Sequence, residues 1–65
     1  MPSYAVFFSD PAAIGMERIE TTDAAAAEAM ALELHPDAQV HAVDGALVTA
    51  ENRVRLLGKW VRGLG

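Results

Sequence analysis

Residues 21–36 read TTDAAAAEAMALELHP, a stretch with its own start, period and stop. Thr22 or Asp23 can cap a helix here, because a short side-chain oxygen accepts from the unpaired N–H groups of a first turn. The run from Ala24 to Leu34 contains only Ala, Glu, Met and Leu, strong helix formers with no β-branched member. Pro36 ends it, since proline disfavours the helical conformation in the residue before it. At about 100° per residue, Ala27, Met30, Ala31 and Leu34 share one side, the expected buried stripe. Glu28 and Glu33 fall away from it. A helix lined by alanine is suited to a close approach to a sheet.

Upstream, Ser3 to Ser9 (SYAVFFS) is rich in aromatic residues, stands between Pro2 and Asp10-Pro11, and reads as a strand. It is apolar on both faces, with Tyr4, Val6 and Phe8 on one and Ala5 and Phe7 on the other. Such a strand is central and covered twice. Asp10 to Gly15 reads as a loop, and Met16 to Thr21 as a second strand antiparallel to the first, with Ile19 turned inward. Downstream, Ala38 to Val43 is a third strand. Asp44-Gly45 suits a tight hairpin turn in which both residues take positive φ, with Ala46 to Val48 as a short fourth strand.

The last segment has two readings. Thr49 can cap a helix from Ala50 to about Arg62, placing Val54, Leu57, Trp60, Val61 and Leu64 on one side and Arg55, Lys59 and Arg62 on another. Alternatively RVRLL and WVR form a hairpin turning at Gly58-Lys59, and periodicity does not choose between them. The expected class is α+β, a small mainly antiparallel sheet packed by a central helix in the order β-β-α-β-(β)-α. The terminal segment is the one available cover for the second face of the first strand.

The chain has 65 residues, enough for one domain (1–65), and a hydrophobic fraction of 52% argues against disorder. It has no cysteine, so packing alone must hold it together. No apolar run reaches the roughly 20 residues of a membrane span, and the start lacks the pattern of a signal peptide. The expectation is a cytoplasmic protein without membrane contact. Charge is sorted along the chain. Residues 1–52 hold all nine acids against one base, Arg18, whereas residues 53–65 hold Arg53, Arg55, Lys59 and Arg62 and no acid. A body of this charge repels nucleic acid and attracts basic protein surfaces.

Chemistry is thinly represented. His35, Asp37 and His41 approach a metal-ligand set, but a site needs three or four converging groups with support behind them. The preferred reading is a helix-end histidine and a strand histidine. Ser3 and Ser9 lack a glycine elbow or a nearby histidine, and Glu17 with Glu20 has no evident cleft to work in. No catalytic residue, cofactor or metal is therefore expected, nor room for a cleft of several hundred Å³. Trp60 with Arg55, Lys59 and Arg62 can be read as a nucleic-acid patch. The preferred alternative makes Trp60 core and has the bases balance the acids internally, without tight binding to DNA.

The run Tyr4 to Pro11 (YAVFFSDP), then Gly15, then Glu20 to Ala24 (ETTDA) and Ala26 to Ala29 (AAEA) resembles the HicB-type antitoxin half-domain. That resemblance covers about half the chain and implies a protein that silences a small basic ribonuclease toxin. Ser9 stands where the family carries proline before the aspartate. In size, acidity and lack of catalytic equipment the chain is also similar in type to the phage-borne anti-CRISPR inhibitors, several of which present carboxylates in place of DNA phosphates. This likeness implies the bacterial cytoplasm as compartment. Both imply one physical act, the covering of a basic nucleic-acid-binding surface on a protein target by a monomer or homodimer. The expected contacting carboxylates are Asp10, Glu17, Glu20, Glu28 and Glu33, with Asp37 and Asp44 as local turn acceptors. A self-associating structural subunit is the reading of a different class.

Overall fold

The computed structural model describes residues 1–64. Its elements are β1 (Ser3–Ser9), β2 (Ile14–Glu20), α1 (Ala24–Leu34), β3 (Gln39–Asp44), a 3₁₀ turn (Gly45–Leu47) and α2 (Arg53–Leu64). The strands form one antiparallel sheet in the order β2-β1-β3. β1 is thus central, and Ala5, Val6, Phe7 and Phe8 are all buried, as a strand apolar on both faces requires.

Each face has its own core. Val6 and Ile19 pack under Ala27 and Ala31 of α1, joined by Tyr4, Val40 and Ala42. Ala5, Phe7 and Val48 pack on the other face with Met16, Val43, Leu56, Leu57 and Trp60. The terminal segment is therefore helix and not hairpin, and it covers the second face. Thr49 caps its lead-in turn, accepting from the Asn52 N–H at 3.2 Å while Asn52 Oδ1 accepts from the Thr49 N–H at 2.8 Å. This reciprocal pair is a capping box with asparagine in place of glutamate. The regular helix begins at Arg53, three residues later than the spacing predicts.

The stripe expected on α1 is half correct. Ala27 and Ala31 are fully buried, but Met30 is 43% exposed and Leu34 62% exposed. The two alanines let the helix backbone come close to a sheet only three strands wide, about 10 Å between its outer strands. A contact that narrow covers the row through Ala27 and Ala31 and leaves Met30 on the flank. Leu34 lies in the last turn of the helix. The cap is Asp23, whose side chain accepts from the Ala26 N–H at 2.8 Å.

The Asp44-Gly45 hairpin and the fourth strand do not form. Among the described residues none takes positive φ, and Asp44 caps the 3₁₀ turn by accepting from the Ala46 N–H at 3.0 Å. Glycine is needed at 45 because of crowding: a Cβ there would lie 2.7 Å from the Ser3 carbonyl oxygen. Arg18 then ties the connection down. From β2 its guanidinium donates to the carbonyls of Gly45 at 3.1 Å and Val48 at 2.9 Å. Its Cα partner on β1 is Ala5, whose small side chain leaves room for the reach.

Two substitutions test the α1 contact by denaturant titration. Ala31→Leu must overpack the interface and should cost about 1–3 kcal/mol. Met30→Ala removes a larger side chain yet should cost less than about 1 kcal/mol, because that residue stands on a half-open flank.

Candidate functional site

The carboxylates gather unevenly, and one aromatic stack decides where. Gly15 on β2 faces Phe8 on β1, and a Cβ at Gly15 would lie 2.8 Å from the Phe8 ring. The missing side chain lets that ring lie over β2. His35, held at the end of α1 by its N–H donating to the Ala31 carbonyl at 2.9 Å, stacks on Phe8 with ring centroids 3.7 Å apart and planes 11° apart. The imidazole then stands between two acids. Nε2 is 3.1 Å from Glu17 Oε1, and Nδ1 is 3.8 Å from Asp10 Oδ2. A carboxylate can only accept, so Nε2 carries the proton in the shorter contact.

Asp10 and Glu17 thus meet at His35, where α1 ends over the sheet. Asp10 and Asp37 line one shallow hollow with Leu34 and His35. Glu33 is exposed in the last turn of α1, next to Leu34. Asp37 makes no hydrogen bond or ion pair among the described residues, whereas Asp10 is the turn acceptor, taking the N–H groups of Ala12 at 2.8 Å and Ala13 at 2.7 Å. The roles foreseen for Asp10 and Asp37 are exchanged in this respect. Asp10 still borders the cluster, and Asp37 joins it.

Glu20 and Glu28 do not belong to this cluster. Glu20 pairs with Ser3, and strand alternation puts it on the α2 side of the sheet, opposite Glu17. Glu28 is turned to the edge of the sheet, where it accepts from the Ala42 N–H of β3 at 3.0 Å. A charge on that free edge blocks pairing with another strand. The stripe placed Glu28 away from the core, and nothing in the local sequence marks β3 as the edge that it caps.

His35, Asp37 and His41 do not converge. His35 is under α1, whereas His41 pairs with Phe7 on the other face and stacks with Trp60, ring centroids 6.3 Å apart. Among the described residues no group of three or more His, Asp or Glu side chains is placed to hold a metal ion. Trp60 packs on Phe7 at 5.9 Å, partly buried against the core and partly open to a groove. The bases, however, do not balance the acids by direct pairing: among the described residues the carboxylates' close basic neighbour is the His35 imidazole, and no Lys or Arg comes within 4.0 Å of a carboxylate oxygen. The expectation that the fold has no room for a cleft also fails. An open groove of about 580 Å³ lies on the α2 side of the sheet.

No family model, curated protein or solved structure matches this chain. No helix among the described residues is long and apolar enough to cross a membrane.

Two variants probe the carboxylate contacts. His35→Ala loses the stack and the bond to Glu17, and thermal or denaturant unfolding should show a loss of about 1–2 kcal/mol. Glu28→Ala should cost about 0.5–1.5 kcal/mol by leaving the Ala42 N–H without its acceptor. It should also introduce concentration-dependent self-association in sedimentation velocity, which the parent chain lacks if the edge charge is what prevents it.

Proposed function

We propose that this chain is a non-enzymatic binding protein that covers a basic, nucleic-acid-binding surface of a protein target. The observation that carries the reading is the sorting of charge between layers. Seven of the nine acids (Asp10, Glu17, Asp23, Glu28, Glu33, Asp37 and Asp44) lie on α1, its flanking turns, the β1–β2 turn beside its end or the sheet face beneath it, and four of the five Lys and Arg residues lie on α2. Because among the described residues no Lys or Arg neutralises a carboxylate by contact, the acidic side keeps its field for a partner.

The contacting group is Asp10, Glu17, Glu33 and Asp37 around the exposed Leu34. An apolar side chain ringed by charge suits a protein surface, since the aliphatic group supplies burial while the acids steer approach and fix register. Asp10 and Glu17 are held by turn N–H groups and by His35, so they meet a partner already oriented. Glu20 and Glu28 fall outside this group for the reasons given above. The anti-CRISPR-type and antitoxin-type readings both place such a group against Lys and Arg residues of a nucleic-acid-binding effector or toxin.

The test is capture from a bacterial lysate by the immobilised chain, with the Glu33→Gln/Asp37→Asn double variant in parallel. The expected partner is released as salt rises and is displaced by added duplex DNA or RNA. The double variant should capture at least about tenfold less while unfolding at the same temperature, because exposed substitutions change stability by under about 0.5 kcal/mol. Equal capture by both proteins, or a partner that nucleic acid does not displace, sinks the reading.

A further inference from the structure

The groove on the other side of the sheet has a character of its own. Phe7, Val43 and Val48 line it from the sheet and its connection, and Leu56, Lys59 and Trp60 from α2. Its volume, about 580 Å³, falls within the roughly 300–1,000 Å³ typical of small-molecule sites. None of the nine acids lines it, although the chain is acidic overall. Its one Lys or Arg is Lys59, whose ammonium has no hydrogen bond or ion pair among the described residues. Asn52 also lines it, but its amide is occupied, donating to the Leu47 carbonyl at 3.0 Å while its oxygen accepts from Thr49. The lining side chains with polar groups free of a hydrogen bond among the described residues are Lys59, the imidazole of His41 and the indole N–H of Trp60, on which that imidazole is stacked; Lys59 alone carries a fixed positive charge.

We propose that this groove binds a small amphipathic anion, an apolar body bearing one carboxylate group, with Lys59 as its counter-charge. The apolar lining removes the body from water, and the ammonium supplies a charge-assisted hydrogen bond to the head group. A second copy of the chain is a poorer occupant. Symmetric docking through the same groove brings the basic rows of two α2 helices together, with no acid in the groove to offset them. The site is separate from the carboxylates around Leu34 and does not depend on the function proposed for them.

Trp60 is the chain's single tryptophan and lines the groove, so its emission reports occupancy. The intact protein is titrated with decanoate, decanol and decyltrimethylammonium, each below its self-association concentration, with sedimentation velocity run on the same samples. Decanoate should give a saturable change and bind at least about tenfold tighter than either of the other two, as one charge-assisted hydrogen bond requires. Lys59→Met should erase that preference while leaving decanol binding unchanged, and Lys59→Arg should keep it. Lys59 is exposed, so the melting temperature should not move. If Lys59→Met does unfold more easily, the preference among the three amphiphiles in the parent protein decides alone. Three results overturn the proposal: no saturable change with decanoate, equal affinity for all three amphiphiles, or a dimer in sedimentation whose dissociation accounts for the emission change.

Discussion

Burial of β1 on both faces is the constraint on which the rest of this structure depends. Four consecutive residues, Ala5 to Phe8, are withdrawn from water in a chain of 65. Because strand side chains alternate, no single layer can cover such a run. The strand must therefore take the centre of the sheet, with β2 and β3 at its two edges, and the two helices must go to opposite faces. A domain this small buries only about 60% of the surface its unfolded chain exposes, so few apolar groups are left to cover elsewhere.

The two covers differ in kind. α1 uses alanine to bring its backbone close, and Ala27 and Ala31 are completely buried. α2 rests on larger side chains, Leu56, Leu57 and Trp60, and none of its residues is fully buried. Larger side chains hold the helix farther from the sheet and leave the groove beside β3 open. Charge follows the same division, with acids around α1 and bases on α2. The sheet stands between most of the acids and the bases, and among the described residues no Lys or Arg pairs with a carboxylate, including Glu20 and Glu51 on the α2 side.

Glycine and histidine carry more of the local detail than their numbers suggest. Gly15 makes space for the Phe8 ring, the ring supports His35, and His35 holds Glu17 and Asp10 in place. Gly45 allows the backbone to press against Ser3 while Arg18 closes the connection from the far strand. Each is a consequence of two segments meeting that lie well apart in the chain.

The sequence alone determined what depends on neighbours a few residues apart. The span of α1 follows from its composition and from Asp23 and Pro36, the doubly apolar β1 from alternation, and the Thr49 cap from side-chain chemistry. The need for a terminal cover followed from β1, but whether that cover was helix or hairpin did not, because residues 50–62 satisfy both periods and the apolar face waiting for them decides. Tertiary structure also decided the fate of Met30 and Leu34, since burial depends on how wide the sheet is and not on helix period. It decided the use of Asp44-Gly45, where crowding by Ser3 replaced turn geometry. It sorted the five candidate carboxylates as well, putting Asp10 and Glu17 on either side of His35 and Asp37 in one hollow with Asp10, leaving Glu33 exposed in the last turn of α1, and sending Glu20 to the opposite face and Glu28 to the edge of β3. A carboxylate's role is set by which N–H group, ring or open solvent the fold puts beside it, and those neighbours come from the far parts of the chain.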